Sequence, residues 1–181
     1  VAEGIIFPKF ADNNEPYLYD EETDPLLERD KNGKLIHKPF KVTLGIDFGG
    51  NGSMTTYVLK LYFNRYHDLR TAEEDFLPLS NDIDADMICK KFVEFYNRCR
   101  DKYGRIDWVF PDSASTTMIN SLRSAAKKAA LPYLNIKGCR KNEISDRPKT
   151  VDRLLNTGRL KINRKCERLR KAVGSLKWDE D

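Results

Sequence analysis

The chain has 181 residues, of which 40% are hydrophobic and 33% charged, and its formal net charge is +4. This length allows one domain with a sizeable core, and the sequence contains neither a transmembrane run nor a signal peptide, which argues against a membrane protein. The four cysteines form no C-x-x-C pair, so we expect reduced thiols rather than a disulfide framework or a zinc site.

Charge is distributed unevenly along the chain. Residues 1–40 contain nine acidic and five basic residues, whereas residues 137–171 contain thirteen basic and four acidic residues. A basic excess of that size predicts a surface that faces a polyanion. An ordinary solvated helix face is the alternative interpretation.

Residues 1–40 are predicted to be a connector or peripheral segment, and residues 41–181 the main domain. Gly4–Pro8 and Leu35–His37 are candidate short strands, the first ended by its proline, and Asn32-Gly33 favours a tight turn. Because the chain begins with Val1 rather than Met, we expect a processed product or a piece of a longer protein.

Two strands separated by a glycine-rich turn follow, over Val42–Phe48 and Thr55–Phe63. Gly49, Gly50, Asn51 and Gly52 supply the backbone freedom that a sharp reversal needs. Asp47 lies inside the first apolar run, where a carboxylate is costly to desolvate without a cation or hydrogen bonds. It therefore indicates a metal or phosphate site, or else a side chain that caps the turn.

The next segments predict a further strand, a helix, a strand and a second helix. His67–Arg70 and Asp75–Leu79 offer one further strand. We expect the first helix to run from a cap at Ser80-Asn81-Asp82 to Lys102 and to end at Gly104. The second strand, Ile106–Phe110, stops at Pro111-Asp112-Ser113, before a helix over Ala114–Ala130. Asp112 thus follows a strand end, where open α/β sheets place ligands. Alternatively, Asp112 or Ser113 is the N-cap of that helix.

The last third predicts short elements. They are a strand over Tyr133–Ile136, a helix over Thr150–Asn156 closed by Gly158, an extended Arg159–Ile162, and a basic helix over Cys166–Val173 broken by Gly174. The element order predicts an α/β fold with a mixed sheet and helices on its faces. If the strands before Asp47 and Asp112 are neighbours, the two carboxylates meet, and such oxygen ligands suit Mg²⁺ or Mn²⁺.

Three stretches carry a family resemblance across nearly the whole chain. They are the strand pair GIDFGGNGSMTTYVL, the strand end WVFPDSA and the run LLNTGRLKI…C…L…KWD. In order and spacing the chain resembles the nuclease domain of the large terminase subunit of tailed bacteriophages, which has a ribonuclease H-like fold with helices on both faces of a mixed sheet. Gly4–Pro8 also resembles the segment that follows the ATPase domain in such proteins.

The resemblance implies a metal-dependent endonuclease that cuts concatemeric double-stranded viral DNA during packaging, in the cytoplasm of an infected bacterium. Asp47 and Asp112 would be the first and second metal-binding acids of a two-metal site for Mg²⁺ or Mn²⁺. In the full-length protein, the terminase small subunit and the portal would be partners.

The chain departs from this family in two ways. It contains no G-x-x-x-x-G-K-[ST] phosphate loop, so we expect the cutting part of such a protein and not its motor. The family's third metal acid lies in a helix after the tryptophan–aspartate pair, whereas this sequence ends at Asp181. The third ligand is then outside the chain, or Asp179 or Asp181 replaces it.

Two other functions compete with this interpretation. Actin-like and sugar-kinase-like ATPases also open with a GIDFGG-like hairpin, although they need a second lobe and a second phosphate motif. A DNA-binding or docking module that keeps the fold without the chemistry is the other alternative. Metal-dependent cleavage, ATP hydrolysis, or DNA binding alone would distinguish the three.

Overall fold

A computed structural model describes residues 4–49, 54–78, 82–112, 115–139 and 146–178. Within these residues a sheet has the strand order β1-β6-β4-β3-β2-β5. The strands are β1 (Leu18–Tyr19), β2 (Lys41–Asp47), β3 (Thr55–Phe63), β4 (Asp68–Leu77), β5 (Trp108–Pro111) and β6 (Leu160–Asn163). The α-helices are α1 (Pro8–Asp12), α2 (Ala85–Tyr103), α3 (Thr116–Lys128), α4 (Asp146–Asn156) and α5 (Glu167–Ser175).

The sheet is mixed, as the element order predicts. β2 pairs in parallel with β5, and β6 pairs in parallel with both β1 and β4. β3 and β4 are neighbours joined by four residues, a connection too short for anything but an antiparallel pair. None of the described helices is long and apolar enough to cross a membrane.

The chain divides into two compact units. One of them comprises residues 41–61 and 73–141 and contains most of β3 together with β2, β5, α2 and α3. In β2 and β3 every second residue is buried, the period of a strand with one face on a core. Tyr57 of β3 donates a hydrogen bond to the Ile88 carbonyl at 2.7 Å, and its ring lies 5.9 Å from that of Phe95. Helix α2 therefore covers the core face of β3.

The ends of α2 follow ordinary capping chemistry. The Asp84 carboxylate accepts a hydrogen bond from the Met87 amide at 2.9 Å, and Gly104 ends the helix with a φ of +91°. The predicted cap at Ser80-Asn81-Asp82 is therefore wrong by two residues or more. Gly104 as the end of the helix is confirmed.

The second unit comprises residues 1–40, 62–72 and 142–181. Its core is a cluster of apolar side chains from the first forty residues, the start of β4 and the C-terminal elements: Phe7, Phe10, Leu18, Leu69, Leu155, Leu160, Ile162 and Cys166. The division into a connector over residues 1–40 and a nuclease domain over residues 41–181 stays a prediction. The structure adds that residues 4–40 contribute β1 and part of this core.

Three local predictions are wrong. Pro8 begins α1 instead of ending a strand, since proline suits the first turn of a helix. Tyr133–Asn135 form a 3₁₀-helix after Pro132, and only Ile136 forms a bridge with Val109. Gly174 lies inside α5 instead of breaking it, and a Cβ atom at this position would make an ordinary van der Waals contact with Ala11, at 3.8 Å.

A buried ion pair in the second unit gives a stability prediction. Arg70 Nε donates to Asp24 at 2.6 Å, and both side chains are nearly inaccessible, at 9% and 5%. Because Asp24→Ala leaves the buried guanidinium without its partner, we expect it to lower the free energy of unfolding by about 3 kcal/mol. Urea unfolding checks this, with the exposed Asp12→Ala as control, and equal midpoints for both variants would contradict it.

Candidate metal centre

Asp47 and Asp112 lie side by side at the carboxyl ends of two neighbouring parallel strands. The register pairs Leu44 with Val109 and Ile46 with Pro111. The Asp112 amide then donates to the Ile46 carbonyl at 2.9 Å, so the pairing continues to the residue after β5. The two backbones are therefore one strand spacing apart, about 4.8 Å.

The two carboxylates also share a face of the sheet. Leu44, Ile46 and Val109 are buried, and alternation turns Asp47 and Asp112 to the opposite side. Partial desolvation by the surrounding protein raises the pKa of Asp47, and the negative charge of Asp112 raises it further. A pair of like charges of this kind is relieved by a cation between them.

Several solved structures that resemble this chain are large terminases or their nuclease domains. A large terminase from a thermophilic bacteriophage superposes with a TM-score of 0.68 at 16% identity, over 99% of this chain and 39% of that one. The nuclease of the large terminase from thermophilic phage G20c, solved with bound magnesium, gives 0.58 at 11% identity, over 100% and 85%. The large-terminase nuclease domain of bacteriophage SPP1, with bound manganese, gives 0.51 at 16% identity, over 78% and 71%.

The chain has the fold of a large-terminase nuclease domain. This confirms the resemblance found in the sequence and the ribonuclease H-like α/β fold. The likeness is one of structure, since no family model and no curated protein matches the chain. The chain spans 39% of the length of the first of these terminases.

The sequence allowed Asp112 to cap helix α3 and Asp47 to cap the glycine turn. The N-cap of α3 is Ser115, which accepts from the Met118 amide at 3.2 Å, so the prediction of a cap at Asp112 or Ser113 is wrong. In the glycine turn, the Gly49 amide donates to the Thr55 hydroxyl at 3.0 Å. Thr55, not Asp47, accepts that hydrogen bond.

The donor set suits a hard divalent cation. Asp47 is exposed and Asp112 half-buried, so their oxygens are accessible to an ion, and Mg²⁺ and Mn²⁺ prefer such ligands. Within the described ranges no third His, Cys, Asp or Glu joins them. The candidates Asp179 and Asp181, like Gly50, Asn51 and Gly52 of the turn, lie outside these ranges.

Some basic residues of the segment 137–171 form ion pairs with acidic residues of the segment 1–40. Arg164 pairs with Glu15 at 2.6 Å and with Asp20 at 2.8 Å, and Lys165 pairs with Glu21. Hydrogen bonding to Arg164 lowers the pKa of Glu15. The acidic first forty residues and the basic end of the chain therefore partly complement each other, so those cations do not indicate a polyanion partner.

One functional candidate was missed at the level of sequence. Lys60 of β3 lies on the face opposite Tyr57, Leu59 and Leu61, and it is exposed. The signal that could have found it is the alternation itself: a lysine at an out-facing position of the strand next to β2.

Proposed function

We propose that this chain is a metal-dependent endonuclease that cleaves double-stranded viral DNA concatemers during genome packaging. The observation that carries the proposal is the pair Asp47 and Asp112, at the ends of adjacent parallel strands on one face of the sheet. The fold of phage terminase nucleases, two of them solved with bound magnesium or manganese, supports it. In this proposal, cleavage takes place in the cytoplasm of an infected bacterium, and the terminase small subunit and the portal are partners of the full-length protein.

The proposed mechanism is two-metal phosphodiester hydrolysis. Divalent ions supply an activated water and stabilise the leaving oxygen. Asp47 and Asp112 would hold them, and the strands fix the spacing of the two carboxylates because the backbone pairing continues to Ile46 and the Asp112 amide. Since Asp47 is exposed at the end of the sheet, a phosphate can approach the metal site without displacing a core side chain.

The test is incubation of the purified protein with supercoiled plasmid in Mg²⁺ or Mn²⁺. We expect nicked and linear products with little sequence preference, because contacts to phosphates carry no sequence information. DNA binding without cleavage in either metal would contradict the proposal and favour the non-catalytic binding module. ATP hydrolysis without cleavage would favour the actin-like or sugar-kinase-like lobe.

A further inference from the structure

The face of the sheet that carries Asp47 and Asp112 continues onto β3. Gly45 of β2 lies beside β3, where a Cβ atom would come within 4.0 Å of the Val58 carbonyl oxygen. Gly45 and Val58 are thus near opposite each other, and both alternate with buried residues. Lys60, two residues beyond Val58, is therefore on the side of the sheet that carries the two carboxylates.

Lys60 and Asp47 are separated along this face by a distance that a nucleic-acid strand can span. Because β2 and β3 are antiparallel, Lys60 and Asp47 lie in opposite directions from the Gly45–Val58 pair, each two residues away. At about 3.3 Å per residue, their Cα atoms are therefore about 13 Å apart along the strands. Gly45 between them has no side chain. The Cα atom of Lys60 is thus set back from that of Asp47, and the long lysine side chain can span part of that distance.

A second lysine flanks the same face on its other edge. The Lys137 amide donates to the Val109 carbonyl at 2.9 Å, which places residue 137 next to β5. Its ammonium lies 4.6 Å from the centre of the Trp108 ring. Trp108, like Asp112, is on the face of the sheet opposite buried Val109. Lys60 and Lys137 therefore lie on either side of the strands that carry the carboxylates.

Neither lysine is in an ion pair with any described residue, unlike Arg164 and Lys165. The pKa of Lys60 lies below its ordinary value because the surrounding protein removes part of the hydration of its ammonium, although the nearby Cys139 raises it in part. An anion placed beside such a group restores the interactions that the ammonium has lost.

We propose that Lys60 binds a backbone phosphate of the DNA strand that enters the Asp47–Asp112 site. This inference rests on the proposed function and extends it by naming a DNA contact of the same face. Lys137 contributes to the same track from the other edge. The contact is to phosphate alone, so it is independent of base sequence.

The test is DNA binding by Lys60→Gln, measured without metal by fluorescence anisotropy on a labelled duplex at several salt concentrations. We expect about tenfold weaker binding, the loss of one hydrogen bond to a charged group, and a salt slope shallower by about 0.9. Lys60→Arg should restore both values. The control is Lys90→Gln, an equal charge change at an exposed position of α2, which covers the opposite face of β3.

Cleavage kinetics give a second readout. Lys60→Gln should raise KM with kcat nearly unchanged, because the contact holds DNA equally before and during the reaction. If the wild type binds and cuts DNA but Lys60→Gln matches Lys90→Gln in slope and affinity, the inference is wrong and the proposed function stands. If the wild type neither binds nor cuts DNA, both are wrong.

Discussion

Asp47→Asn and Asp112→Asn should each reduce the rate of metal-dependent DNA cleavage by more than about a hundredfold. Even partners that only orient a metal ligand commonly cost 10- to 100-fold when they are removed, so loss of a ligand itself should cost more. Asparagine keeps the size of the side chain and one oxygen but removes the charge that holds the cation. The measurement is the initial rate of plasmid nicking in Mn²⁺.

The same substitutions should not unfold the protein. Partial desolvation and the charge of Asp112 raise the pKa of Asp47, so its ionised form is less favourable in the folded state than in the unfolded state. Asp47→Asn removes that repulsion and should leave the melting temperature equal or higher. Asp101→Asn, an exposed change on α2, is the control and should affect neither rate nor melting. Full cleavage by either site variant would rule out the proposed ligands.

Removing divalent metal should abolish cleavage and leave DNA binding in place. Excess EDTA withdraws the ions that supply the activated water, whereas phosphate contacts from lysine and arginine need no metal. Restoring Mg²⁺ or Mn²⁺ should restore cleavage. The paired measurements are plasmid nicking and duplex anisotropy on the same EDTA-treated sample.

A thermal shift separates a resident metal from a metal that acts only on DNA. An ion that binds the folded protein stabilises it by mass action, so Mn²⁺ without DNA should raise the melting temperature of the wild type. The rise should be smaller or absent in Asp47→Asn and Asp112→Asn and unchanged in Asp101→Asn. Cleavage that persists in EDTA would contradict the metal-dependent mechanism.

The hairpin and its neighbours were accessible from the sequence because their signals are local. The predicted strand Thr55–Phe63 has the same bounds as β3, and β2 differs from its predicted bounds by one residue at each end. The pairing of β2 with β5 follows from a strand, a helix and a strand in succession, which favours a parallel crossover. That pairing is what brings Asp47 beside Asp112.

Other features depend on contacts that no local pattern encodes. β1 has only two residues and pairs with β6, over one hundred residues later, so alternation has no length in which to appear. The pairing of Arg164 with Glu15 and Asp20 likewise joins distant segments. The charge excess of each segment was visible in the sequence, but their mutual neutralisation was not.

The most direct test of the central claim is a crystal of this protein soaked in Mn²⁺, examined for anomalous scattering. We predict a peak between the carboxylates of Asp47 and Asp112, with oxygen ligands from both, that disappears in Asp47→Asn. A peak elsewhere, or none between these two residues at a concentration that supports cleavage, would contradict the assignment of the metal centre.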